Sequence, residues 1–99
     1  MSYKVTEENN ITTIYLNGEI DMDIVDKAKE EIIPIASSGK EVHLNLKDVQ
    51  YMDSSGISIL IESHQKAEEN NGKLVLKEIS KSVLKVIMMA KLELILNIE

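Results

Sequence analysis

Val42-His43-Leu44-Asn45-Leu46-Lys47, continued by Val49-Gln50-Tyr51-Met52-Asp53-Ser54-Ser55-Gly56-Ile57-Ser58, is the stretch on which the fold turns. Over 41–47 apolar and polar residues alternate, with Val42, Leu44 and Leu46 on one side and His43, Asn45 and Lys47 on the other. That is the two-residue period of a strand with one buried face. From Ile57 the spacing changes, and Ile57, Leu60, Ile61 and His64 recur at helical intervals. The chain thus passes from strand to helix within Met52–Ser58 and sets Asp53, Ser54 and Ser55 at the junction. A helix N-terminus carries unpaired backbone N–H groups and the positive end of the helix dipole. A serine there can cap the helix, act as a nucleophile or accept a phosphoryl group.

The flanking sequence supplies the order of elements. Residues 3–7 and 11–17 read as strands about an Asn9-Asn10 turn, and Gly18-Glu19-Ile20-Asp21 leaves the second of them. From Met22 onward, Ile24/Val25, Ala28, Ile32 and Ile35/Ala36 form a helical stripe, with Asp21 or Asp23 as the expected N-cap. Pro34 should distort its last turn, and Ser37-Ser38-Gly39 should end it. The second helix runs from about 55 to 70 and stops at Asn70-Asn71-Gly72; a strand covers 73–78. Ser80 opens a third helix to about Lys91, and 94–98 reads as a last strand. The order β-β-α-β-α-β-α-β over residues 1–99 predicts a single α/β domain. Right-handed crossovers make its sheet mixed but mostly parallel, and the opening hairpin adds an antiparallel strand. A parallel strand covered on both faces is apolar throughout. The polar side chains of His43, Asn45 and Lys47 therefore place the helices mainly on one face.

Composition narrows the function. A chain of 99 residues is one domain and buries roughly 60–65% of its unfolded surface. It has no Cys, so neither a disulfide framework nor a Cys-based metal site is expected. The first residues lack the apolar core of a signal peptide, and no apolar run approaches the ~20 residues of a membrane span. A cytoplasmic protein is expected. The net charge of −6 weighs against nucleic acid and anionic membrane as main partners. All 11 basic residues are Lys. Recognition of phosphate by bidentate forks uses Arg. Its absence weighs against binding phosphorylated ligands and leaves open that the domain is itself phosphorylated.

Three chemistries compete at the junction. A hydrolase elbow requires Gly-x-Ser-x-Gly, and Met52-Asp53-Ser54-Ser55-Gly56 lacks the first Gly. His64 stands nine residues past Ser55, roughly 13 Å along a helix axis, out of reach as a base. It reads as a histidine at the core edge, and His43 lies on the polar sheet face. No enzyme is expected. Asp21-Met22-Asp23 follows a strand as the Asp-x-Asp of haloacid-dehalogenase-type phosphatases does, but the Thr or Ser needed two residues later is replaced by Val25. These acids are better explained as helix caps, and no cofactor or metal is expected. A regulatory phosphoacceptor is the third reading. Asp21 should share the strand-end rim with Asp53, so a phosphate on Ser54 would add charge to an acidic patch. The partner surface is sought at Asp23, Ser58 and Ile59; on a helical projection Ile59 lies opposite Ile57, Leu60 and Ile61, beside Ser63 and Lys66. Met88 and Met89 cannot both face the core, and core filling is expected to take one of them.

Gly18-Glu19-Ile20-Asp21, Val42-His43-Leu44-Asn45-Leu46 and Val49-Gln50-Tyr51-Met52-Asp53-Ser54-Ser55-Gly56 together resemble a STAS domain, in particular the bacterial anti-sigma-factor antagonists. The resemblance spans essentially the whole chain. It implies partner switching: the unphosphorylated antagonist binds an anti-sigma factor that is also a serine kinase, and the sigma factor is released. It also implies that the kinase phosphorylates Ser54, directly after Asp53, with Asp21, Ser55 and Gly56 around it. A metal-dependent Ser/Thr phosphatase would reset the switch. STAS domains also serve as scaffold subunits in stress-signalling and lipid-transport complexes, which need no phosphorylation cycle. Two departures concern the partner: Gly56-Ile57-Ser58 stands where the family usually reads Gly-Leu-Gly, and Met88-Met89-Ala90-Lys91-Leu92 stands where it often has a Gly.

Overall fold

Five strands form one sheet in the computed structural model, which describes residues 3–99. They are β1 (Lys4–Glu8), β2 (Ile11–Ile20), β3 (Glu41–Met52), β4 (Lys73–Lys77) and β5 (Asn97–Ile98), and they lie in chain order across the sheet. β1 pairs antiparallel with β2, and every later pairing is parallel. The crossovers are α1 (Val25–Ala36), α2 (Ser54–Glu69) and α3 (Lys81–Met89), the last followed by a 3-10 turn at Leu92–Leu94. The opening hairpin turns on Asn9 and Asn10, both at positive φ (54° and 66°), a conformation that asparagine tolerates and a two-residue hairpin requires.

The alternation in β3 sets the layers. Val42, Leu44 and Leu46 are fully buried and share one apolar cluster with Ile14 and Leu16 of β2, Leu74 and Leu76 of β4, Ile32 of α1, Leu60 of α2, and Val83 and Ile87 of α3. On the opposite face Thr13 pairs with His43 and Tyr15 with Asn45, and all four stay partly open to solvent. There His43 Nε2 lies 2.7 Å from Glu41 Oε2. The helices therefore form one layer over one face, as the polar residues of β3 predict.

β2 and β3 run further than the alternation alone suggests, to Ile20 and Met52. They do so through two register shifts, one between Tyr15 and Asn17 and one between Gly18 and Glu19. At each shift β3 advances one residue more than β2: Tyr15 pairs with Asn45 but Asn17 with Asp48, and Gly18 pairs with Val49 but Glu19 with Tyr51. These are β-bulges, and Gly18 accommodates the second with a φ of +77°. They keep Val49 and Met52 in the core while Asp48 and Gln50 stay exposed.

Three expectations change at element ends. α1 begins at Val25 with Ile24 in the cap position, without a side-chain cap. Asp21 Oδ1 instead accepts the Asp23 N–H at 3.0 Å in the turn ahead of the helix. α3 stops at Met89, and the chain reverses through Lys91 at φ +60°. Leu92 and Leu96, four residues apart, then enter the core, so the run expected as a strand over 94–98 is reduced to Asn97–Ile98. Finally, neither Met88 nor Met89 fills the core. Val83 and Ile87 already occupy the buried stripe of α3, and both methionines are exposed.

Candidate functional site

β2 and β3 end side by side. Ile20 pairs with Met52, and the Asp53 N–H donates to the Ile20 carbonyl at 3.4 Å. Asp21 and Asp53 consequently leave the sheet at the same edge. Asp53 has extended backbone angles and caps α2: its Oδ1 accepts the N–H of Ser55 at 2.8 Å and of Gly56 at 3.3 Å. The cap is therefore an aspartate, and Ser54 becomes the first helical residue, its side chain exposed. Ser55 is half-buried, and its carbonyl accepts the Ser58 hydroxyl one turn on.

Gly56 is set by close approach rather than by backbone freedom. A Cβ at this position would lie 2.3 Å from Met52 Cγ and 2.9 Å from the Ile20 carbonyl oxygen. The first turn of α2 thus rests on the ends of β2 and β3, and Ser54 is held at the strand edge by that contact.

Asp21, Met22, Asp23, Tyr51 and Asp53 line a shallow depression of about 250 Å³ at this edge. The structure brings Asp21 and Asp53 to one rim, where the sequence reading put them, and sets Asp23, sought as a partner contact, beside them. It adds Met22 and Tyr51, both exposed, which that reading passed over. Met22 falls outside the stripe of α1, and Tyr51 faces outward because the second bulge returns β3 to the phase that the first had shifted. Ser58 faces elsewhere, onto a groove between α1 and α2 shared with Lys29, Ile61 and Glu62, where Lys29 Nζ and Glu62 Oε1 pair at 3.0 Å. Among the described residues no three His, Asp or Glu side chains are arranged to hold a metal ion.

Ile59 is a correction. It is 1% exposed and belongs to the core, so it offers no contact to a partner. The buried stripe of α2 runs through Gly56, Ile59, Leu60, Ser63 and Ala67 at helical spacing, while Ile61, which the sequence reading put in the core, stays partly exposed on the groove towards α1. Ser63, on the same side as Ile59, is equally buried.

The cap gives the site a measurable energy. Asp53→Ala removes the acceptor for two helix N–H groups and should cost about 1 kcal/mol, a fall of roughly 4–8 °C in melting temperature. Asp53→Asn keeps an acceptor and should recover most of it, as thermal melts of the two variants will show.

The model of the STAS domain family matches residues 2–99. The anti-sigma-B factor antagonist of Bacillus subtilis is 28% identical over 94 residues, covering 95% of this chain and 86% of that protein. Two solved structures share the fold. One is the anti-sigma factor antagonist SpoIIAA in its unphosphorylated form, with a TM-score of 0.75 at 20% identity, covering 99% of this chain and 87% of that one. The other is the Bacillus cell fate determinant SpoIIAA in the phosphorylated form, with a TM-score of 0.73 at 21% identity, covering 99% and 91%. No helix of the described residues is long and apolar enough to cross a membrane.

Proposed function

The chain belongs to the STAS domain family, and from that premise we propose that it is an anti-sigma-factor antagonist whose partner binding is switched off by phosphorylation of Ser54. The unphosphorylated form binds an anti-sigma factor with serine kinase activity, and a metal-dependent Ser/Thr phosphatase restores it after modification. Its place of action is the cytoplasm, and its role is binding rather than catalysis.

The observation that carries this reading is the exposed Ser54 hydroxyl at the first helical position, left free because Asp53 takes the cap. A phosphate there adds about −1.5 to −2 charges and three acceptor oxygens. The helix N-terminus tolerates that charge through its dipole and N–H groups, so the fold survives modification. The same charge lands beside Asp53, at the edge that also carries Asp21 and Asp23. A docked partner would have to desolvate it without an arginine from this chain to neutralise it, at a cost of several kcal/mol. A tenfold loss of affinity requires only about 1.4 kcal/mol.

With the cognate kinase and ATP, Ser54 should be the single acceptor, and Ser54→Ala should abolish labelling. A phosphate mapped by mass spectrometry to Ser55 or Ser58 would show the assignment to be wrong. Ser54→Asp should weaken binding of the anti-sigma factor about tenfold or more at an unchanged melting temperature, and Ser54→Ala should bind as the unmodified chain does. Equal affinities for the two variants by calorimetry would count against the charge mechanism and favour a scaffold subunit that does not cycle.

A further inference from the structure

α3 presents a face that the fold leaves uncovered. Met88 and Met89 are 54% and 75% exposed, and the turn packed against α3 adds Leu94 at 81% and Ile95 at 61%. Leu84, Met88 and Met89 line an open apolar depression of about 430 Å³, walled by Lys81 and Lys85. Charge along α3 itself is one-sided, Glu93 standing only in the turn beyond it. The chain has 17 acidic residues, yet none falls between Glu78 and Glu93, where Lys81, Lys85 and Lys91 stand. Among the described residues those three lysines form no ion pair, as is also true of Lys4, Lys27, Lys47 and Lys73, and α3 with the turn after it is where three such lysines gather beside exposed apolar side chains. The face is also held firmly. Ser80 Oγ donates to the Val49 carbonyl at 3.0 Å and Ser82 Oγ to the Gln50 carbonyl at 3.4 Å, while Leu92 and Leu96 anchor the far end.

We propose that α3 and the turn after it form a second docking surface, for an acidic amphipathic helix of another protein. Its apolar side lies on Leu84, Met88 and Met89, and its flanking carboxylates meet Lys81, Lys85 and Lys91. Unbranched methionines adapt to a helix laid across them. The unpaired lysines supply the complementary charge. A second copy presenting the same face would set lysines against lysines across a two-fold axis. An anionic bilayer would meet the same lysines but be repelled by a chain of net charge −6, and the face lacks the aromatic anchors of an interfacial helix. The surface is independent of the Ser54 reading and stands or falls separately from it.

The test uses the whole isotope-labelled chain and two synthetic helical peptides. Both carry leucines at helical spacing; one is flanked by glutamates and the other by lysines. The glutamate peptide should shift the amide resonances of residues 81–96 and leave Asp53–Ser58 unmoved. Lys81→Glu with Lys85→Glu, and separately Met88→Glu with Met89→Glu, should each weaken it about tenfold or more, with unchanged melting because all four side chains are exposed. Failure of the glutamate peptide to bind overturns the proposal, as does equal binding of the lysine peptide, shifts centred elsewhere, or indifference to both double variants. Saturable co-sedimentation with phosphatidylglycerol vesicles, abolished by the same variants, would replace it with a membrane surface. A dimer seen by light scattering and dissolved by Met88→Glu with Met89→Glu would replace it with self-association.

Discussion

Ile59→Lys should unfold the domain or lower its melting temperature by roughly 15–30 °C, the fall expected for about 4 kcal/mol in a domain of this size. The isoleucine is buried between the sheet and the helix layer, and no acidic side chain shares its cluster. Lysine there must either bury an unpaired charge or pull α2 away from its supports. Small domains hold only about 5–15 kcal/mol in total, so that loss is a large share of the reserve. Ile59→Val keeps the shape and should cost about 0.5–1.5 kcal/mol. Differential scanning calorimetry of the two variants is the measurement. An unchanged melt for Ile59→Lys would return the residue to the surface and reopen it as a partner contact.

Gly56→Val should be nearly as damaging, and Gly56→Ala should fall between it and the native chain. The sign for alanine has to be argued, because replacing a helical glycine by alanine ordinarily gains up to about 1 kcal/mol. Here the new methyl meets the Ile20 carbonyl oxygen at 2.9 Å, a backbone atom fixed in the sheet, as well as the movable end of Met52. Overpacking of that kind costs about 1–3 kcal/mol and outweighs the propensity gain. Valine adds two branches in the same space and should cost more than alanine. Urea titration will order the three proteins by midpoint. An alanine variant more stable than the native chain would mean that α2 rides off the strand ends without penalty.

Much of this architecture was legible because it rests on short-range periodicity. The alternation over Val42–Lys47 fixes which face of β3 is covered, and the Asp53-Ser54-Ser55-Gly56 junction fixes where α2 starts. Asp21 and Asp53 come to one edge because both follow the ends of adjacent parallel strands. What was illegible rests on neighbours in space. Ile59 looked exposed because the stripe was phased on Ile57 and Ile61, whereas packing on the sheet centres it on Gly56, Ile59, Leu60, Ser63 and Ala67. The methionines of α3 looked partly internal because nothing local shows that Val83 and Ile87 already complete its contact. The last strand looked longer because Leu92 and Leu96 are taken into the core at helical spacing, which breaks the apparent extended run.

Those two bulges behave like a pair of compensating frameshifts. Between Ile11 and Ile20, β2 uses 10 residues to cover the span over which β3 uses 12, from Glu41 to Met52. Removing one residue between Lys47 and Tyr51 would invert the parity of everything downstream, turning Met52 outward and presenting α2 from the wrong side of the sheet. Removing one residue at each bulge would restore the parity and shorten the strand without turning it over. The segment leading into Ser54 can therefore change its length only in steps of two, a limit on natural insertions and deletions that no single side chain in it reveals.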